Sequence, residues 1–154
     1  MYVQTLVLYL FHQMEKCRSK YCGCLYYSAN ALARIMTKLA DEEFAVTGLT
    51  SSYAFLLMTV NEKPGIQPKE ISHHMQLTPS TVTRLIEKME YRGFLQRKHV
   101  GRTTEVYPTK QSEELHPKIK EAWRNLYKRY ADLIGETKAN KLTELINESN
   151  EKLE

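Results

Sequence analysis

Ser80, Thr81, Thr83, Arg84 and Lys88 fall within nine residues, with Thr78 just ahead of them. Hydroxyls both donate and accept hydrogen bonds, arginine offers a planar fork of donors, and lysine a compact charge. Such a set binds rather than cleaves. It suits anionic oxygens and the polar edges of flat heterocycles, which in a nucleic acid are phosphates and base edges. A second basic group, Arg97, Lys98, His99 and Arg102, follows shortly after. Charge is distributed to match. Residues 67–110 hold eight Lys/Arg against four acids, and the rest of the chain has 14 of each. The whole excess of +4 therefore lies in this stretch. A local excess of this kind is the footprint of a polyanion-binding surface.

The elements that must present these groups are legible nearby. Ile71 and Met75 share one helical face, and Val82, Leu85, Ile86 and Met89 share another. Between them Thr78 is an N-cap residue and Pro79 suits a first helical position. Gly93 stands where a left-handed residue would stop the second helix. The spacing predicts a helix-turn-helix over 68–94, with the hydroxyls, Arg84 and Lys88 off the apolar stripe. Beyond Gly93 the period changes. Residues 94–100 and 103–108 read as two short strands bent back at Gly101-Arg102, with Leu95 and Val106 inward. A hairpin placed there is a wing, and its basic tip suits a minor groove or a row of phosphates.

Upstream, Leu25, Ala29, Leu32, Ile35 or Met36, and Leu39 trace a long helix to about Val46. Thr50-Ser51-Ser52 is expected to cap a largely buried helix over Tyr53–Met58, and Ile66 to add a small strand beside the wing. Downstream, Thr109 is expected to cap a helix carrying Glu113 and Glu114 in its first turn. Its stripe is Leu115, Ile119, Ala122, Leu126, Tyr130 and Leu133. A last helix carries Leu142, Leu145, Ile146 and Leu153. These terminal helices are amphipathic yet lie outside the winged unit. They are expected to bury against the first helix and a second copy of the chain, which would also set two reading helices about one DNA turn apart. A single chain folded back on itself is the alternative. Trp123, Tyr127 and Tyr130 are assigned to that dimer core.

The run LTPSTVTRLIEKMEYRGFLQRK, followed by a short basic hairpin and by Pro108-Thr109-Lys110 opening a long helix, resembles the MarR (multiple antibiotic resistance regulator) family of winged-helix repressors. The likeness covers about residues 20 to 150. Two departures stand out. The wing lacks the Asp-x-Arg pattern common at the family's wing tip, leaving Arg102 alone there, and Ser112 replaces a frequent Gly. The resemblance implies a mostly α fold with a small β wing. Residues 49–109 would form the winged helix-turn-helix, and 1–48 and 110–154 the N- and C-terminal dimerisation helices, in a single 1–154 domain. It implies a cytoplasmic homodimeric repressor on a pseudo-palindromic double-stranded operator. Thr78, Ser80, Thr81, Thr83, Arg84, Lys88, Arg97, Lys98 and Arg102 would hold the DNA. An effector pocket, for a small phenolic or other hydrophobic ligand, would lie near Tyr26, Tyr27, Arg34 and Tyr53. A winged-helix protein-interaction module without DNA binding is the competing reading.

Cys17, Cys22 and Cys24 lie within eight residues. An odd count argues against a disulfide framework. Three readings stand: reduced bystanders, a redox sensor, or a metal site. Lys16, Arg18 and Lys20 would lower a thiol pKa, and thiolate is the form peroxide attacks. The hydroperoxide-sensing branch of the family has a reactive cysteine near its first helix with tyrosines nearby, and Tyr26 and Tyr27 adjoin Cys24. Metal binding would need Cys22, Cys24 and a histidine such as His12 or His116. Of His73 and His74, one is expected to pack and one to be wet. There is no phosphate-cradling Gly loop, His-Glu-x-x-His or Gly-x-Ser-x-Gly, so no enzyme and no cofactor are expected. Residues 1–13 are apolar but too short to span a bilayer, and lack a basic n-region. They read as an extra helix on the dimer, or as a segment upstream of a true start at Met14.

Overall fold

A computed structural model describes residues 19–153. Residues 1–13 and Cys17 lie outside that range. The chain divides into two compact units, one ending at Leu39 and one running from Ala40.

Helix α1 (Leu25–Phe44) begins in the first unit. At its start, the ring of Tyr27 lies 5.6 Å from that of Tyr21, just ahead of the helix, and the Lys20 ammonium sits 5.1 Å from the Tyr21 centroid. The apolar face expected of α1 is not a core. Leu25 is 74% exposed and Ile35 58%, while Leu32, Met36 and Leu39 are half-buried. The helix stops at Phe44, earlier than its pattern suggests, because Ala45–Thr47 tighten into a 3-10 turn closed by left-handed Gly48.

In the second unit, α2 (Ser51–Glu62) is the hub. Ala54, Leu56, Leu57, Met58 and Val60 are buried, so the helix is apolar over most of its circumference, as a central helix must be. It packs against every other helix of the winged region and against the wing itself. It is longer than expected at both ends. Thr50 holds the N-cap position without a side-chain cap bond, and Asp41 Oδ1 instead accepts the Ser51 N–H at 2.8 Å.

Helix α3 (Pro68–Met75) opens on a capping box. The Glu70 carboxylate accepts the Gln67 N–H at 3.1 Å, and Pro68 takes the first turn. Gln76 ends it in the left-handed region, φ 51°. Helix α4 (Pro79–Tyr91) follows, with Thr78 Oγ1 accepting the Thr81 N–H at 3.4 Å. At its other end the Gly93 N–H reaches Glu90 O and the Phe94 N–H reaches Met89 O, both at 2.9 Å. That pair of bonds is a Schellman stop, and it needs the positive φ of Gly93 (78°). Val82, Ile86 and Met89 are fully buried. Each contributes about 1.5–3 kcal/mol by burial, against roughly 1 kcal/mol for an N-cap. Packing therefore decides where α4 sits, and the caps decide where it begins and ends.

The wing pairs β1 (Leu95–Val100) with β2 (Thr103–Pro108) in antiparallel register, Leu95 opposite Pro108 and Val100 opposite Thr103. Gly101 at φ 61° takes the first position of the two-residue turn, as a II′ hairpin favours. Ile66 bridges Val106 from the other side, with the Gly65 N–H on Val106 O at 2.9 Å and the Val106 N–H on Ile66 O at 3.0 Å. Gly65 lets this strand approach closely, since a Cβ there would meet the Tyr107 hydroxyl at 3.1 Å.

Helix α5 (Lys110–Ile134) buries Ser112, Ile119, Ala122 and Leu126. Of its expected stripe, Leu115 and Tyr130 are half-buried and Leu133 is 69% exposed. Thr109 holds the N-cap position, but its hydroxyl donates to Gly93 O at 2.7 Å instead of capping. Only Glu113 of the two acids lies in the first turn. Ser112 is buried and accepts from Asn61 Nδ2 at 2.7 Å, which accounts for a hydroxyl where glycine is frequent. The Arg129 guanidinium forks onto Glu43 at 2.8 Å and Glu42 at 2.7 Å, tying α5 to the end of α1. Helix α6 (Glu136–Leu153) buries only Ala139.

His116 on α5 is half-buried, with Nδ1 buried and unpartnered among the described residues. Burial holds its pKa below the ordinary histidine value, with Lys120 adding to the effect and Glu62 opposing it. A folded pKa below the unfolded one means the unfolded chain binds the extra proton first, so stability falls as pH drops through and below about 6.5. Thermal melting should therefore fall between pH 7.5 and 5.5, and His116→Leu should flatten that fall. A slope unchanged by the substitution would assign the acid sensitivity elsewhere.

Candidate nucleic-acid interface

The side chains singled out on α4 are all solvent-facing. Thr78, Ser80, Thr81, Thr83, Arg84 and Lys88 are exposed. The reason is the helix period. With Val82, Ile86 and Met89 turned inward, the positions on the opposite side of the helix turn out. The hydroxyls at the start of the helix are held as a set. Thr78 Oγ1 lies 3.1 Å from Ser80 Oγ and 2.8 Å from Thr81 Oγ1, and the Thr83 hydroxyl donates to Pro79 O at 2.9 Å. Their rotamers are thus organised before any partner arrives. Arg84 makes no ion pair or hydrogen bond among the described residues, so its five donors are available.

Arg84 and Lys88 border an open groove of about 800 Å³ with Tyr53, Thr81, Leu85, Glu87 and Tyr91. Tyr91 is 88% exposed, and the Lys88 ammonium lies 6.0 Å from its ring centroid. Tyr91 is not among the residues singled out above, although its place three residues after Lys88 puts both on one face.

The wing carries Lys98 and Arg102 exposed. Lys98 rests over the Tyr107 ring at 4.6 Å, and the Tyr107 hydroxyl donates to Glu105 at 2.6 Å. That bond chiefly holds the Tyr107 pKa above its ordinary value. Arg102 stands at the turn. Arg97 behaves differently from its neighbours. Its guanidinium lies 2.6 Å from Glu90 Oε2 of α4, so the charge grouped with the DNA contacts on sequence is already engaged within the chain. Arg92 is also occupied, donating to Gly48 O at 3.2 Å and lying over Phe94. His73 and His74 are both exposed, against the expectation that one packs, because α3 buries only Ile71.

The residues grouped as an effector site fall in both units. Cys22, Cys24, Tyr26, Tyr27 and Arg34 belong to the first and Tyr53 to the second. Tyr26 and Arg34 are exposed, Tyr27 and Tyr53 half-buried. Cys22 is disulfide-bonded and Cys24 is a free, exposed thiol, so the two members of this C-x-C pair are not alike, and Cys22 is not the reduced residue an odd count suggested. Among the described residues no three His, Cys, Asp or Glu side chains converge as a ligand set, and no single helix is long and apolar enough to cross a membrane.

A helix-turn-helix followed by a two-stranded wing, with the outer face of its second helix open and polar, defines a winged-helix protein. The model of the MarR family matches residues 49–100, which span the helix-turn-helix and the first wing strand. The Bacillus subtilis (strain 168) protein YwoH, an uncharacterized HTH-type transcriptional regulator, is 31% identical over 97 residues, 62% of this chain and 71% of YwoH. YybA of the same organism is 24% identical over 92 residues, and the match spans 61% of its length. The chain belongs to the MarR family. Solved structures share the fold. The Streptomyces coelicolor regulator PcaV, in complex with its natural ligand, superposes with a TM-score of 0.77 at 14% identity over 90% of this chain and 99% of that one. The S. aureus MepR–DNA complex gives 0.73 at 14% identity over 83% and 97%.

Proposed function

We propose that this protein is a cytoplasmic, sequence-specific double-stranded-DNA-binding transcriptional regulator. It acts as a homodimeric repressor released by a small ligand or by oxidation of a cysteine. The observation that carries the reading is the outer face of α4. Its hydroxyls are pre-set by bonds to one another, and Arg84 and Lys88 stand unburied beside them, on the element that MarR-family geometry offers to a major groove. Arg84 reads a guanine edge, Ser80, Thr81 and Thr83 make shorter-range contacts, Thr78 and Lys88 hold phosphates, and Lys98 and Arg102 hold the backbone or the adjacent minor groove. The net positive charge, which lies within 67–110, favours DNA over a protein partner for this face. That MepR has been solved on DNA supports the same assignment.

Exposed Trp123, Leu133, Leu142, Leu145 and Ile146 on α5 and α6, together with Leu25 and Ile35 on α1, support a twofold dimer built from the terminal helices. PcaV's ligand complex supports release by a small molecule. Cys24, free and exposed, is the thiol on which oxidation would act.

Selecting duplexes from a random pool, then measuring affinity against salt, tests the reading. A pseudo-palindromic consensus with a steep salt slope is expected. Lys98→Ala should weaken binding evenly across sequences and flatten the log–log salt slope by about 0.9 for the phosphate lost on each half-site. Recovery of no enriched sequence, with only weak binding at 150 mM salt, would instead favour a protein-interaction module.

A further inference from the structure

Arg97 is placed among basic residues, yet its geometry is that of a strut. The Glu90 carboxylate, in the last turn of α4, makes two bonds to one wing residue. Oε1 accepts the Arg97 backbone N–H at 2.8 Å, and Oε2 takes the guanidinium at 2.6 Å. Glu90 is the more enclosed partner, its side chain 22% exposed against 36% for Arg97. The backbone bond matters as much as the ion pair. Ile66 covers the far side of β2, so β1 is the outer strand, and its outward-facing amides have no strand partner among the described residues. Glu90 satisfies one of those amides and so closes the edge of the sheet onto the helix. Charge-assisted bonds to two donors on one carboxylate fix angle as well as distance. Among the described residues Lys98, one residue on, has no such tie and rests on the Tyr107 ring.

We infer that Arg97 is a positioning residue rather than a phosphate contact: with Glu90 it locks the wing at a set angle to α4, so that the two basic elements meet one stretch of duplex together. This rests on the DNA-binding reading above. The Schellman stop at Gly93 and the Thr109–Gly93 bond fix the chain path at the start of β1. The Glu90–Arg97 clamp then acts two residues into the strand, where the wing would otherwise swing about that corner.

Glu90 is an acid on a surface proposed to meet a polyanion. Simple charge counting says that Glu90→Ala should tighten DNA binding. The strut says that it should weaken it. Operator affinity is measured for wild type, Glu90→Ala, Arg97→Ala, Arg97→Lys and the Glu90→Ala/Arg97→Ala double variant, well below their melting temperatures. Each single variant, Arg97→Lys included, is expected to bind about five- to ten-fold more weakly, and the double variant no more weakly than either single. The salt slope should stay within about 0.3 of wild type, since no phosphate contact is lost. Amide exchange at Arg97 should quicken in Glu90→Ala without any DNA present. Glu90→Ala binding as well as or better than wild type overturns the strut. So does an Arg97→Ala slope lower by about 0.9, or full activity of Arg97→Lys. Fast Arg97 exchange in wild type overturns it without DNA. A wild-type protein that binds no duplex sinks the DNA-binding reading itself, and the exchange result then shows separately whether the clamp forms.

Discussion

Replacing Leu142 and Ile146 together by glutamate is expected to turn a dimer into a folded monomer and to cut operator affinity by a factor of about 100 to 10,000. The two side chains lie one turn apart on α6 and are 37% and 40% exposed, with Leu145 between them at 47%. Only Ala139 of this eighteen-residue helix is buried. Large apolar side chains at helical spacing, left open to water, are the surface on which the proposed dimer would close. The size of the effect follows from linkage. Once one winged unit of a dimer is bound, the second meets its half-site at a high effective concentration, and that advantage disappears with the dimer. Sedimentation velocity would follow assembly, circular dichroism would follow helix content, and anisotropy would follow DNA affinity. A variant that stays dimeric, or a monomer that binds the full operator as tightly as wild type, would refute the assigned interface.

Arg84→Ala is expected to lower specific affinity by about 5- to 150-fold per half-site, the range for one bidentate base contact, and to relax selectivity at a single base position. Arg84 is the natural choice because no hydrogen bond or ion pair holds it among the described residues. Its neighbours Thr81 and Lys88 share the same groove edge, whereas Arg92 and Arg97 are spent on Gly48 O and on Glu90. A Lys98 variant should instead lose affinity equally on all sequences. Binding-site selection repeated with Arg84→Ala separates the two behaviours. An unchanged consensus would remove Arg84 from the reading set and leave α4 as a backbone clamp.

The reading helix, its cap at Thr78, its stop at Gly93 and the Gly101 turn were legible because each signal is local. An N-cap, a left-handed glycine and a two-residue hairpin turn are settled within a few residues by which backbone groups lack partners. The helix period likewise dictated that Thr81, Arg84 and Lys88 would face out once Val82 and Ile86 faced in. The same local logic failed where a better partner lay elsewhere in the chain. Ser51 takes its cap from Asp41, ten positions back, and Thr109 spends its hydroxyl on Gly93 O. Ser112 is buried, and its hydroxyl finds its partner in Asn61, 51 positions earlier.

Alone, then, the amino-acid sequence determined the winged helix-turn-helix and which side chains of α4 lie off its buried stripe, because both depend on short-range hydrogen bonds and on a period of 3.6. Tertiary structure decided which charges remain available. Arg84 and Arg97 are grouped alike as residues of one basic stretch. Only the packing of β1 beside the end of α4 sets a carboxylate against Arg97 and leaves Arg84 open, since a charged side chain is claimed by whatever surface the fold brings within about 3 Å of it.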